Sequence, residues 1–444
     1  MIKICVLGLG YIGFPTALLL AKSGYTVIGV DVNERVVQNL NEGVPPIAEL
    51  GLEKLFEEAG SQFSAQTVVT EADVFLIAVP TPLDTTLRIS DLKYVRSASR
   101  MIVPNLRKGN LVILESTVPP GVSERVVIPI LEKSGLKAGD FLYAHCPERA
   151  IPGNTIYEMI HNDRIIGGIT FESIVAAKNL YSSYVKGNIF TTDAKTAEFV
   201  KLVENTFRDV NIALANELAQ IAEDYGINIW KVAELANKHP RVNLLKPGPG
   251  VGGHCIAVDP WFLTENSTNT GMIQLARDIN DTMPNYVVKI VRSLLKDRSD
   301  PVITIFGVSY KGNISDCRET PALKFIQLAL NEGYQVKCFD PLVKEFVYTL
   351  YPLEDALEES DCIVLIADHN QFRDIDPSKV MMRSKNLVDT RNILDHARWR
   401  TAGFQVKVLG DGGQRDEVLD RPKDVLSSLA GSSEDTPGIG REQM

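Results

Sequence analysis

Cys255 stands in the run Gly252-Gly253-His254-Cys255-Ile256-Ala257-Val258-Asp259-Pro260, one thiol behind two glycines with a carboxylate four residues on. Paired glycines remove side-chain bulk and let backbone approach a ligand closely. No helical or strand periodicity claims this cysteine, so its residue type points to a nucleophile rather than core filling. Lys201 and Asn205 are four residues apart and share a helix face, with Arg208 following. An ammonium beside an amide suits a developing oxyanion. A lysine near Cys255 would also favour the thiolate.

A second set of residues points to a dinucleotide. Gly8, Gly10 and Gly13, with Tyr11 and Ile12 between them, lie between an apolar run at 2–7 and a helical pattern ending at Lys22. Such glycines allow a tight turn, close approach to a pyrophosphate and close helix packing. Asp31, at the end of the next strand pattern, is placed to accept hydrogen bonds from ribose hydroxyls. Its carboxylate favours NAD over NADP, and Arg35 one turn on tempers that preference. Thr81 and Thr117 follow two further strand patterns, where α/β sheets bind ligands; a turn-capping role is the alternative.

Other charged residues fall at strand ends or in loops. Glu148 and Arg149, in Cys146-Pro147-Glu148-Arg149, read as a water-holding carboxylate and a substrate contact, or else as an ion pair. His239 and Arg241 lead into a Gly/Pro-rich loop at 246–253 that suits a diphosphate or sugar. Tyr310, Lys311, Arg318 and Arg391 cluster at strand ends of the C-terminal part. That set suits a nucleotide diphosphate, or inter-domain salt bridges.

The elements that must position these residues alternate. Strand patterns at 2–7, 25–30, 74–79, 111–114, 141–145 and 164–167, with helical patterns between several of them, give a doubly wound, mostly parallel sheet. Helical patterns at 196–225, 229–237 and 271–296 follow. Alternation restarts with strands at 302–308, 334–339, 361–366, 386–388 and 404–409 and a helix at 321–332. The fold expected is α/β, two Rossmann-like domains joined by a helical middle. The divisions are 1–195, 196–298, 299–411 and a polar, mobile tail at 412–444.

The 444 residues are 45% hydrophobic with a formal net charge of −10. That charge argues against a general nucleic-acid binder. No apolar run reaches the roughly 18 residues of a membrane span. Six scattered cysteines without a paired or metal-ligand spacing, and no signal peptide, point to the cytoplasm and to no metal.

Taken together, these motifs resemble the UDP-glucose/GDP-mannose dehydrogenase family over about residues 1–410. The resemblance implies an NAD-binding N-terminal domain, a helical middle that forms a homodimer, and a C-terminal nucleotide-sugar domain. It implies oxidation of a sugar C6 alcohol to a carboxylate, with two NAD reduced, through a thiohemiacetal and a thioester on Cys255. Lys201, Asn205, Asp259 and Glu148 would then be catalytic. The glycine turn, Asp31, Arg35, Thr81, Thr117 and Arg318 would face the cofactor. Arg149, Ala150, Lys201, Asn205, Arg208, His239, Arg241, Gly252, Tyr310, Lys311 and Arg391 would surround the substrate. Val258 and Pro152 depart from the pattern of UDP-glucose enzymes. The runs around Arg208, Arg241 and Cys255 look like the UDP-N-acetylhexosamine branch. The expected substrate is UDP-N-acetyl-D-mannosamine, with UDP-N-acetyl-D-glucosamine as the alternative. UDP-glucose, or a non-catalytic NAD-dependent sensor, ranks below both.

Overall fold

The computed structural model describes residues 2–47, 49–151, 153–296 and 298–412. The expectations for the tail beyond 412 and for Pro152 fall outside these residues. The first sheet contains β1 (Lys3–Leu7), β2 (Thr26–Val30), β3 (Phe63–Gln66), β4 (Val74–Ile77), β5 (Leu111–Leu114), β6 (Leu142–His145), β7 (Arg164–Gly168) and β8 (Ile189–Asp193). Their spatial order is β8-β7-β6-β5-β4-β1-β2-β3. Strands β1 to β6 form the doubly wound order 3-2-1-4-5-6. Strand β7 pairs antiparallel with β6, Ala144 facing Gly168 and His145 facing Gly167. Strand β8 then runs parallel to β7.

The central strands β4 (VFLI) and β5 (LVIL) are buried along their whole length. Helices cover both faces of the sheet, so an unbroken apolar run is the stable choice. Successive side chains go to opposite cores. Ile4, Val6, Leu76 and Ile113 join Phe14 and Leu18 on one side, while Cys5, Phe75, Val112 and Leu114 join Val95 and Ile102 on the other. Helix α1 (Gly13–Lys22) is buried from Gly13 to Ala21.

Helix α2 (Ala194–Asp224) has 31 residues and is therefore about 46 Å long. Asp193 caps it by accepting the Thr196 N–H at 2.8 Å. Helices α3 (Asp259–Thr264) and α4 (Gly271–Leu294) pack against it. Beyond them lies the second sheet: β9 (Val302–Phe306), β10 (Gln335–Phe339), β11 (Cys362–Leu365), β12 (Asn386–Asp389) and β13 (Gln405–Val408). All its pairings are parallel, in the order β10-β9-β11-β12-β13. This is the 2-1-3-4-5 doubly wound order, with α5 (Pro321–Asn331) as the first crossover helix. Among the described residues no helix is long and apolar enough to cross a membrane.

Candidate active site

The glycine turn after β1 has the three properties a pyrophosphate needs. Gly8 has φ +93°, and a Cβ there would lie 2.5 Å from the Ala78 carbonyl oxygen. A Cβ at Gly13 would lie 1.9 Å from the Gly8 carbonyl oxygen, so only glycine lets α1 start this close to the turn. Gly10 is the opposite case: a Cβ there meets nothing within 4 Å. Its backbone borders open space that a bound phosphate would use, at the N-terminus of α1. Asp31 accepts the Leu9 N–H at 3.0 Å through one oxygen and the Asn33 N–H at 2.9 Å through the other. The carboxylate is thus fixed at the end of β2 beside the turn. These residues fit the adenosine side of NAD. Gly13→Ala is expected to cost ~1–3 kcal/mol by overpacking, read as a lower melting temperature together with weaker NAD binding by calorimetry.

Cys255 is exposed. Its carbonyl accepts the Asp259 N–H at 2.8 Å, so the thiol lies on the turn that enters α3. Asp259 is buried, and its Oδ2 accepts Asn205 Nδ2 at 2.5 Å. Asn205 and Lys201 project from one face of α2, which brings the predicted quartet together. Burial pushes the Asp259 carboxyl up to about 6, with Lys201 and Asn205 pulling it down. Desolvation by the cleft walls around it pushes the Cys255 thiol up, and the Asp259 charge adds to this. Lys201 and Arg318 pull it down without winning. Lys201 thus favours the thiolate, as expected, but burial and Asp259 outweigh it.

All three parts of the chain meet at this thiol. Tyr310 packs against Gly253, where a Cβ would come within 2.9 Å of the ring. Burial, with Asp316 and Cys255 adding, pushes the Tyr310 hydroxyl up to about 12. Arg318 is clamped by Asp316 at 2.6 Å, and its guanidinium lies 5.2 Å from the centroid of the Tyr11 ring. The glycine turn of the first sheet therefore touches the loops of the second. Thr81 donates its hydroxyl to the Thr117 carbonyl at 2.8 Å, tying the two strand-end loops together.

Some predicted contacts lie elsewhere or are already engaged. In the Cys255 loop a Cβ at Gly252 would lie 2.2 Å from the Glu319 carbonyl oxygen, so the loop packs against the C-terminal domain where only glycine fits. Arg149 is bound to Glu204 at 2.7 Å and to the Asp163 carbonyl at 2.8 Å. It tethers the Glu148 loop to α2, next to Asn205. Ala150 gives its N–H to Glu148 at 2.9 Å. Arg391 pairs with Asp368 at 3.4 Å and packs over Gly248, an inter-domain contact. Arg35 is exposed, its N–H capped by Asn33. Arg208, His239, Arg241 and Lys311 are exposed too.

Two features escaped the sequence. A short hairpin, Leu83–Asp84 with Ile89–Ser90, rises from the Thr81 loop and holds α3. Arg88 lies 4.2 Å over the Trp261 ring, and Ser90 N donates to Glu265 at 2.8 Å. Glu148 is no surface group. It is buried against Arg164, which also reaches Glu115. A charged residue heading the apolar strand β7 was the available signal.

A dinucleotide turn facing a cysteine, a lysine and a carboxylate across a cleft between two doubly wound sheets defines a dinucleotide-dependent oxidoreductase. The chain belongs to the UDP-glucose/GDP-mannose dehydrogenase family: it matches the family's NAD binding domain over residues 2–185, its central domain over 195–282 and its UDP binding domain over 304–396. It is 47% identical over 419 residues to UDP-N-acetyl-D-mannosamine dehydrogenase of Methanocaldococcus jannaschii, covering 92% of this chain and 97% of that one. It is 44% identical over 409 residues to NDP-N-acetyl-D-galactosaminuronic acid dehydrogenase of Ralstonia nicotianae, covering 88% and 96%. The solved structure of UDP-D-ManNAc dehydrogenase from Pyrococcus horikoshii superposes with a TM-score of 0.88 at 41% identity, covering 92% of this chain and 99% of that one.

Proposed function

We propose that this enzyme oxidises the C6 alcohol of UDP-N-acetyl-D-mannosamine to the uronate, in the cytoplasm and as a homodimer. The observation that carries the reading is the quartet of Cys255, Lys201, Asn205 and Asp259 facing the glycine turn. The names of the relatives supply the sugar. The functional divisions are 1–195, 196–298 and 299–411. Phe199, Val203, Phe207, Leu214 and Ile221 leave one stripe of α2 exposed, which suits a second copy.

NAD, held by the glycine turn and Asp31, supplies the hydride acceptor, twice per substrate. Asp259, aided by the Lys201 ammonium and a water, takes the C6 hydroxyl proton. Cys255 adds through sulfur to the aldehyde carbon, giving a thiohemiacetal whose oxyanion Lys201 and Asn205 stabilise. After the second oxidation Cys255 carries a thioester, and Glu148 orients the water that cleaves it. The covalent bond keeps the aldehyde in the site between the two oxidations. Arg208, His239, Arg241, Tyr310 and Lys311 line the sugar and diphosphate side, with Arg241 reaching the partner's cleft.

Absorbance at the NADH band tests the substrate. UDP-N-acetyl-D-mannosamine is expected to yield two NADH per sugar, with UDP-glucose at least about tenfold slower. Faster turnover of UDP-N-acetyl-D-glucosamine would move the assignment to that epimer. No NADH from any of the three would favour a sensor.

A further inference from the structure

The antiparallel turn of the sheet at β7 has a chemical consequence. A parallel strand would begin at the far edge of the sheet. Strand β7 instead begins at the carboxyl end of β6, where the ligand loops lie. The register of Ala144 against Gly168 and His145 against Gly167, continued outward, sets residue 164 opposite residue 148. Arg164 is therefore delivered to Glu148, and NH2 donates to Glu148 Oε2 at 2.5 Å. The other Glu148 oxygen accepts the N–H groups of Arg149 at 2.7 Å and Ala150 at 2.9 Å. Both ends of the carboxylate are pinned.

Arg164 is itself held from every side. NH1 reaches Glu115 at 3.4 Å, and the guanidinium lies 4.3 Å from the centroid of the Tyr181 ring. Glu115 accepts the Tyr181 hydroxyl at 2.6 Å and the Thr16 hydroxyl of α1 at 3.2 Å. Two carboxyls thus share one buried cation. Burial pushes the Glu115 carboxyl up to about 7, with Glu148 adding to this. Buried ion pairs give little net stability against an apolar packing of equal volume, so this one calls for a functional reason.

We infer that Arg164 is the positioning residue for the second half of the reaction: it holds the Glu148 carboxylate aimed for thioester hydrolysis, without touching substrate. This rests on Glu148 being the group that orients water. In that step water oxygen bonds to the thioester carbonyl carbon and the C–S bond breaks. Cys255 leaves as thiolate with the electron pair, and the water proton passes to Glu148. The oxidations precede this step and do not use the pair.

Arg164→Lys tests it, since an ammonium keeps the charge but cannot fork between two carboxyls. In a single turnover with excess NAD, both NADH are expected at wild-type rates. Uronate release is expected to slow by about a hundredfold, the scale of a misplacement near 1 Å. Intact-mass analysis would then show the acyl group on Cys255. Glu148→Gln serves as the reference and is expected to hold the same adduct. No adduct in Glu148→Gln would overturn the role given to Glu148. An adduct there but none in Arg164→Lys would overturn the role given to Arg164. If Arg164→Lys does not fold, Arg164→Met/Glu115→Gln removes the cation and one carboxyl together and is read in the same way.

Discussion

Cys255→Ala is expected to lower uronate formation by on the order of 10⁴-fold or more, the scale of losing a nucleophile that works as a unit with its neighbours. The argument is one of electrons. An aldehyde carbon bearing a sulfur substituent and an oxyanion can give up a hydride; a free aldehyde must first be hydrated. Without the thiol the second oxidation loses its donor, and NADH per sugar falls from two toward one. Cys255→Ser is expected to stop before the acid or to hold a covalent ester, visible by mass. The wild-type thiol is pushed above its ordinary range by the cleft and by Asp259. Its alkylation at neutral pH is therefore expected to be slower than that of a free thiol and to speed up as pH rises. Uronate release at the wild-type rate from Cys255→Ala would mean that a hydrated aldehyde is the hydride donor, and the thioester route would fall with it.

What the sequence disclosed follows from how local each feature is. The glycine turn was readable because Gly8, Gly10 and Gly13 act within one strand–helix junction. The clash of a Gly13 Cβ with Gly8 is a contact five residues apart. Lys201 and Asn205 were readable because helical geometry fixes their shared face. Strand β8, with Phe190 exposed, lacks the apolar run that marks its neighbours. Helix α3 is six residues long and starts straight after a glycine-rich loop, so no period could form. The Arg164 cluster was out of reach for a different reason. Its members come from β7, two strand-end loops and two helices, 16 to 99 residues apart along the chain for the bonded pairs. Only the antiparallel pairing of β7, which no local pattern states, brings them together. The glycines at 252 and 253 carry a similar lesson: their close packing against Glu319 and Tyr310 of the C-terminal domain is a long-range contact that composition does not state.

Lys201→Ala is expected to slow turnover by about 10²–10³-fold, equivalent to losing ~2.7–4 kcal/mol of oxyanion stabilisation, and also to move the pH profile. Asp259 can take a proton only when ionised, so kcat/KM should rise as pH increases through about 6. Lys201 holds that carboxyl down against burial. Removing the ammonium leaves burial less opposed, so the acid limb should shift to higher pH. Lys201→Arg keeps the charge and should restore most of the limb, while turnover stays low because the guanidinium places its donors differently. Asp259→Asn should remove the limb. The fold has its own linkage to this group. An aspartate raised from 3.8 to about 6 binds more protons folded than unfolded over that window, so its contribution to stability falls as pH rises from about 4 to 6. Activity and this part of stability therefore run in opposite directions over the same range. An acid limb that stays in place in Lys201→Ala would show that Lys201 is not coupled to Asp259, leaving the oxyanion as its only role.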